Sequence, residues 1–407
     1  MRIALLTENY FPYIDGVNIS VRNLKKALEL NGHEVFIVTY KLDDIDYSKM
    51  NTDHLVLLPA VRLLGKKGKE LYLYYNLMTN SLSHQLDAYH FDVLHVQQEF
   101  TLANAAYDYA KRHQVPLVYT RHTMWETYFK TFYGSFYPIL MKLTKSWFLD
   151  PVLKHAHEVI VPSRKMEELM DKKHHNDFHV LPTVIDPDEF TISENDKEEI
   201  ERLKDKYHLQ DKKTVLFLGR VSEEKRIDLL VRMMSPYLRK YPSLRLLIAG
   251  DGPYLETLEK NCRNNPSSSS IIFTGIIPSE RRKLYYHLGD VFCTCSDFET
   301  QGLTYDEAMI SSCPLLVKDD PVLEGRIRDE YNGFLFHDEK DFGEKLDYLM
   351  NHDLTEVKEN AYKTITSYSL KDWGKDVLDV YKKAVSYQKL NRKKIVQDKT
   401  VTGKKKE

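Results

Sequence analysis

The sequence has almost no net charge, few cysteines and no long apolar run, and each shortage removes a class of protein. Lys and Arg number 58 against 60 Asp and Glu in 407 residues. Such a balance carries no message about nucleic acid, although its distribution along the chain can, and no nucleic-acid partner is expected. The four cysteines, Cys262, Cys293, Cys295 and Cys313, lack the paired C-x-x-C spacing of a structural zinc site. No metal ligand set is expected, and reduced thiols of a cytoplasmic protein are the default. Cys293 and Cys295 fall in a strand-like run and read as small core residues. No apolar span is long enough to cross a bilayer, and the opening residues M-R-I-A-L-L read as a strand running into a loop, not as a leader with a cleavage site. Any membrane contact is therefore expected to be peripheral. Also missing is the G-x-G-x-x-G fingerprint: the first loop is E-N-Y-F-P-Y-I-D-G-V-N, so a nicotinamide or flavin site is not supported.

What is present is the composition of a globular protein, 42% hydrophobic and 29% charged, in a chain long enough for two or three domains. Strand patterns at Arg2 to Thr7, Glu34 to Thr39, His54 to Leu58, Val93 to Val96, Leu117 to Thr120, Val159 to Val161 and His179 to Leu181 alternate with helix-length stretches. Those stretches include Ile19 to Leu30, Leu71 to Ala88 and Leu102 to His113. A composition shift at Thr183 to Arg202 reads as a linker and a solvated helix start. The rhythm then repeats, with strands at Thr214 to Leu218, Leu244 to Ala249, Ile271 to Phe273, Val291 to Thr294, Pro314 to Val317 and Gly333 to Phe336. Two α/β halves with a cleft between them are the expected architecture.

The stretch S-D-F-E-T-Q-G-L-T-Y-D-E, Ser296 to Glu307, organises the rest. It reads as strand, glycine-containing turn and helix, which puts the N–H groups of a helix start beside Glu299 and Glu307. Carboxylates accept from vicinal hydroxyls, so the pair suits a polyol; an ordinary solvated corner is the competing reading. Gly219, Arg220 and Lys225 follow the first strand of the second half. Arg220 can fork onto phosphate oxygens and Lys225 supplies a point charge, or the two pair with Glu223 and Glu224. Gly250 and Gly252 mark a loop of close approach. Gly16, with Val17, stands at a helix start where backbone can approach a phosphate, or is a turn glycine. His122 directly follows a strand, where open α/β sheets place ligand contacts, and can donate to a substrate hydroxyl or serve structure.

Taken together these loops resemble a known family: the retaining glycosyltransferases of family 4, with the GT-B fold of two Rossmann-like domains facing across a cleft. The marks are P-Y-I-D-G-V, R-H-T after a strand, F-L-G-R-V-S-E-E-K, I-A-G-D-G-P and E-T-Q-G-L-T-Y-D-E-A-M, in which two glutamates enclose seven residues. E-T-Q-G-L-T with H-T-M-W-E-T-Y looks like the bacterial 1,2-diacylglycerol 3-glucosyltransferases, whereas most relatives have Phe in place of Gln301. Arg226 and the pair Asp297 and Phe298 depart from the family pattern without removing a charge.

The resemblance implies transfer of an α-glucosyl residue from UDP-glucose to the free hydroxyl of diacylglycerol. Elongation of a glycosylated diacylglycerol is the nearest alternative, and a catalytically idle nucleotide-sugar-binding scaffold is the non-enzymatic one. It further implies that Gly219, Arg220 and Lys225 hold the diphosphate and Glu307 the ribose. Glu299, with the backbone of Thr300, Gln301, Gly302 and Leu303, would orient the sugar. Gly16 and Val17 would meet the diphosphate side, His122 a sugar hydroxyl, and Gly275 and Ile276 the uracil. No tightly bound cofactor is implied, with Mg2+ at most stimulatory.

The implied domains are 1–183, completed by a last helix at about 370–388, and a nucleotide-sugar domain at 184–369. A basic tail at 389–407 has too little apolar content to fold. Ten Lys or Arg against two acids from Lys382 to Glu407 suit an anionic membrane surface, or a plain solvated terminus. The aromatic and lysine-rich stretch Phe129 to Leu153 suits either a membrane interface or an internal helix. A protein peripheral on the inner face of the cell membrane is the expected location.

Overall fold

The computed structural model describes the chain except residues 11–14, 44, 50–51, 65–72, 76–77, 127–136 and 404–407. The chain forms two compact units, Met1–Val184 together with Ser369–Glu407, and Ile185–Tyr368.

The strands of the first unit are β1 (Arg2–Leu6), β2 (Glu34–Tyr40), β3 (Leu55–Leu58), β4 (Val61–Leu64), β5 (Leu73–Tyr75), β6 (Val93–Val96), β7 (Leu117–Thr120), β8 (Glu158–Val161) and β9 (His179–Val180). Seven of them make a parallel sheet ordered β3-β2-β1-β6-β7-β8-β9. Its central strands are continuous apolar runs because helices leave no face to water: Ile3, Ala4, Leu5, Leu6, Val93, Leu94, Val96 and Leu117 are fully buried.

The second unit has β10 (Lys213–Leu218), β11 (Leu244–Ala249), β12 (Ile271–Phe273), β13 (Val291–Thr294), β14 (Leu315–Lys318) and β15 (Phe334–Phe336). They form one parallel sheet in the order β12-β11-β10-β13-β14-β15. Cys293 and Cys295 lie in its core and Cys262 and Cys313 are also buried. In both sheets the strand order reverses beside the first strand of the unit, and ligands of open α/β sheets bind at that switch point, outside the carboxyl ends of the strands. In the second unit it falls between β10 and β13, from which the loops beginning at Gly219 and Cys295 emerge.

Three elements differ from the sequence expectation. Of the stretch Leu71 to Ala88 expected to be helical, Thr79–Gln85 is a helix and β5 before it pairs antiparallel with β4, while residues 71–72 and 76–77 lie outside the described residues. The run L-Y-L-Y-Y carries large apolar groups at consecutive positions, which fits a helical stripe and a strand alike, and pairing with β4 decides for the strand. The second difference is the last helix, which runs Leu370–Gly403, well past residue 390. Apolar content limits burial but not helicity: Lys, Arg, Gln and Leu propagate a helix already anchored by Leu370, Trp373, Val377, Leu378 and Tyr381, all buried.

The third is the aromatic stretch. Its part from Phe129 to Phe136 lies outside the described residues, and the remainder is a helix Tyr137–Thr144, a π turn Lys145–Leu149 and a helix Asp150–His155. The stretch has two faces. Met141, Leu149 and Leu153 are buried, whereas Ile139 is 63%, Leu143 49% and Trp147 66% exposed.

Candidate functional site

The second unit supplies most of the expected site residues. After β10 the chain passes through Gly219 and Arg220 into a short turn Glu223–Lys225, then the helix Ile227–Lys240. After β13 it makes the loop that ends at Gly302, then the helix Leu303–Ile310. The two loops meet where the sheet order reverses. Lys225 Nζ donates to Glu299 Oε1 at 2.6 Å, with the lysine side chain 21% and the carboxylate 10% exposed. Lys225 and Glu299 thus bring the loops after β10 and β13 within one hydrogen bond of each other.

Arg220 Nη2 donates to Glu224 Oε1 at 2.9 Å, and the same oxygen accepts from the Ser222 hydroxyl at 2.6 Å. Glu224 is buried and so orients a guanidinium that itself stays accessible, 43% exposed. The arginine-to-glutamate pairing seen as the alternative in the sequence is therefore real, and it positions the arginine without burying it. The two departures from the family pattern are partners. Arg226 occupies a left-handed conformation, φ 52°, where glycine is the unstrained choice, and its Nη1 lies 3.8 Å from Asp297 Oδ2.

What comes close to Gly250 and Gly252 is backbone. A Cβ at Gly250 would stand 1.9 Å from the Gly219 carbonyl oxygen, and one at Gly252 2.3 Å from that of Val221. Gly219 N–H donates to the Ala249 carbonyl and Val221 N–H to that of Asp251. The loops after β10 and β11 are zipped together, and a bridge from Gly250 to Gly275 adds the loop after β12. Ile276, next in chain, projects from this layer 71% exposed.

Gly302 precedes the helix at φ 77°, and a Cβ there would stand 2.4 Å from the Tyr305 ring. Thr300, Gln301 and Leu303 flank it. Glu307 sits differently from its partner glutamate. Its Oε1 accepts from Arg282 and its Oε2 from the Tyr286 hydroxyl at 2.8 Å, leaving the side chain 1% exposed. The structure buries both glutamates: Glu307 lies behind the helix Arg282–Tyr286, and Glu299, on the loop, pairs with Lys225.

In the first unit Gly16 and Val17 open the helix Gly16–Glu29, and the Asp15 carboxylate caps it through Asn18 N–H. The first N–H groups of a helix have no intrahelical acceptor, but Asp15 already places a negative charge there. His122 follows β7 and its Nε2 lies 2.8 Å from Gln97 Oε1. Burial lowers its pKa to about 4, so the imidazole is neutral at physiological pH.

Several site-like residues had no sequence signal. Glu8, after β1, is buried and pushed up to about 8 by desolvation, with Oε1 accepting from Leu102 N–H and Oε2 without a partner among the described residues. Glu99, after β6, is also buried and raised, and accepts from Tyr119. Among the described residues no group of His, Cys, Asp or Glu is arranged to hold a metal ion, and the cations of this site are its arginines and lysines.

Residues 14–189 match the model of Glycosyltransferase Family 4, and residues 199–364 that of Glycosyl transferases group 1. The chain is 32% identical to the alpha-monoglucosyldiacylglycerol synthase of Streptococcus pneumoniae over 410 residues, 99% of this chain and 90% of that one. It is 30% identical to the synthase of the same name from Acholeplasma laidlawii, over 97% of this chain and 100% of the other. Two solved structures share the fold. Anabaena Alr3699/HepE in complex with UDP and glucose superposes with a TM-score of 0.69 at 14% identity, over 93% of this chain and 98% of that one. Sucrose-phosphate synthase of Thermosynechococcus elongatus superposes with a TM-score of 0.70 at 19% identity, over 97% and 99%.

Proposed function

The chain belongs to glycosyltransferase family 4, and from that premise we propose that it transfers a glucosyl residue from UDP-glucose to the free hydroxyl of diacylglycerol, with the α configuration retained. The observation that carries this reading is the Lys225–Glu299 contact at the switch point of the second sheet. Like-named function in two relatives that cover the whole chain supports the lipid acceptor.

In this reading Arg220 and Lys225 neutralise the charge that builds on the diphosphate as its bond to the sugar breaks, so their work is done in the transition state. The acceptor hydroxyl attacks from the face the diphosphate leaves, through an oxocarbenium-like state, and a phosphate oxygen takes its proton. No carboxylate is assigned as a covalent nucleophile of the glycosidase kind. Glu299 and the backbone of Thr300 to Leu303 orient the hexose, Gly219 lines the diphosphate, and Gly275 and Ile276 face the uracil. Glu307 is assigned to the ribose, and because Arg282 and Tyr286 enclose its carboxylate, one of them must shift on binding. Because the protein's own cations neutralise the diphosphate, Mg2+ acts at most as a stimulant.

No described helix is long and apolar enough to cross a membrane. Diacylglycerol resides in the bilayer, so the enzyme works at its surface. The exposed stripe Ile139, Leu143 and Trp147, four residues apart, is the apolar face proposed to enter it. Lys142, exposed in the same helix, and the basic last helix suit anionic headgroups, which supports a position on the inner leaflet.

The test is incubation of the purified protein with individual UDP-sugars and mixed lipid vesicles, with the product identified by mass and anomeric configuration. UDP release that depends on added diacylglycerol and yields an α-glucoside is the expected result. Release only with a glycosylated diacylglycerol selects the elongating enzyme, and none with any acceptor selects the idle scaffold.

A further inference from the structure

Gln301 lies in the loop before the helix Leu303–Ile310 and belongs to a buried polar brace. Arg326 reaches this loop from the turn after β14. Its Nη1 donates to the Gln301 main-chain carbonyl and its Nη2 to Asp306 Oδ1, while Gln301 Nε2 lies 3.4 Å from Asp306 Oδ2. Asp306 is 5% exposed, on the helix that carries Glu307. Arg326 is itself anchored: its N–H donates to the Leu323 carbonyl at 3.0 Å, and its carbonyl accepts from Asn332 Nδ2 at 2.9 Å, with Asn332 buried.

We propose that Arg326 is a positioning residue for donor-sugar binding: by pinning the Gln301 carbonyl it aims the Gly302 N–H at the transferred hexose. The geometry follows from the peptide bond. In a trans peptide the carbonyl and the next N–H point in opposite directions, so a Gln301 carbonyl turned to Arg326 turns the Gly302 N–H to the opposite side of the loop. Gly302, at φ 77°, has no side chain to hold that plane by packing, so the hold comes from Arg326. Asp306 keeps the guanidinium in register, and the amide of Gln301 occupies the remaining carboxylate oxygen, which an aromatic ring cannot do. A guanidinium serves both acceptors at once because its donors form a rigid fork, whereas an ammonium serves one acceptor well.

The inference rests on the proposed donor site and separates from it by ligand. In the proposed site UDP meets the uracil, ribose and diphosphate groups but not the Gln301–Gly302 peptide, which only the hexose of UDP-glucose needs. Titration calorimetry with UDP and with UDP-glucose, and steady-state kinetics, are to be run on the full chain, Arg326→Lys and Arg326→Gln. Arg326→Lys keeps a charge on Asp306 and hence the fold. The expected result for it is a wild-type melting temperature, UDP affinity within about twofold, and kcat lowered roughly 10- to 100-fold, less than the roughly 100- to 1,000-fold that removing a preorganised donor outright costs. Arg326→Gln is expected to fall further, with UDP still bound. Unchanged kcat in Arg326→Lys overturns the proposal, as does loss of UDP affinity, melting temperature and kcat in parallel, which marks a structural role alone. Failure of the unaltered protein to bind UDP overturns the donor site, and this inference with it.

Discussion

At the scale of the residue, the site consists of charged groups held by other charged groups. Lys225 and Arg220 are kept by Glu299 and Glu224, and in a partly buried site such charges act on a substrate with little screening. Replacing either cation with Ala at saturating UDP-glucose is expected to raise the barrier by about 3 kcal/mol, roughly a hundredfold in kcat; turnover left unchanged removes the residue from the mechanism. Glu8 carries a prediction about stability. Its carboxyl titrates near 4.5 when unfolded and near 8 in the fold, so between those values the folded state holds a proton that the unfolded state has released. Stability therefore falls as pH rises through that window and levels above it, by an amount on the order of a few kcal/mol. Glu8→Gln keeps the acceptor for Leu102 N–H and removes the proton. Its denaturant midpoint should change less between pH 5 and 8 than that of the unaltered protein, and an identical slope rules Glu8 out as the titrating group. Sequence alone pointed to Lys225, Glu299 and His122 because loops after strands carry chemistry. It was silent on Glu8, Glu99 and Arg326, whose partners lie tens of residues away.

At the scale of the element, the last helix shows how spacing and packing divide the work. Trp373, Val377, Leu378 and Tyr381 recur at the helical period and all are buried. Tyr381 hydroxyl lies 2.8 Å from His95 Nδ1, whose Nε2 lies 2.7 Å from Thr120 Oγ1. Gly374 lets this helix close on Gly16–Glu29: a Cβ there would meet the Ala27 carbonyl oxygen at 2.4 Å and Asn31 Nδ2 at 2.5 Å. Asn31 itself donates to the Ala27 and Lys371 carbonyls. Ala is the better helix former, so on propensity alone Gly374→Ala would stabilise by about 1 kcal/mol. The contact reverses that sign, and a loss of about 1 to 3 kcal/mol is expected, read as a lower midpoint in chemical denaturation. A stabilised variant contradicts the packing.

At the scale of the whole molecule the issue is how a protein without a described spanning helix reaches an acceptor dissolved in lipid. Ile139, Leu143 and Trp147 are exposed side by side, and burying the remainder of each contributes about 1 to 2 kcal/mol. Replacing all three with Ser is expected to lower binding to anionic vesicles at least tenfold in co-sedimentation, while the circular dichroism spectrum and UDP affinity stay as they are. Equal sedimentation of the variant places the membrane face elsewhere. Added salt is expected to weaken the binding of both proteins, since the lysines act through screened charge.

The alternation of buried strands with amphipathic helices was legible along the chain, and Val93–Val96, Leu117–Thr120, Leu244–Ala249, Ile271–Phe273 and Val291–Thr294 fall where the pattern put them. Burial on both faces writes such strands as apolar runs, a local signal that needs no partner to be read. The short loops of the site were legible by motif for the same reason, each being contiguous. Tertiary structure alone decided that Glu307 is enclosed by Arg282 and Tyr286, that Gly250 and Gly252 admit another backbone, that Leu73–Tyr75 is a strand, and that Arg326 holds the Gln301 carbonyl. Hydrogen bonds and steric contacts between distant segments depend on where the sheet brings its loops together, and one-dimensional periodicity carries no record of that meeting.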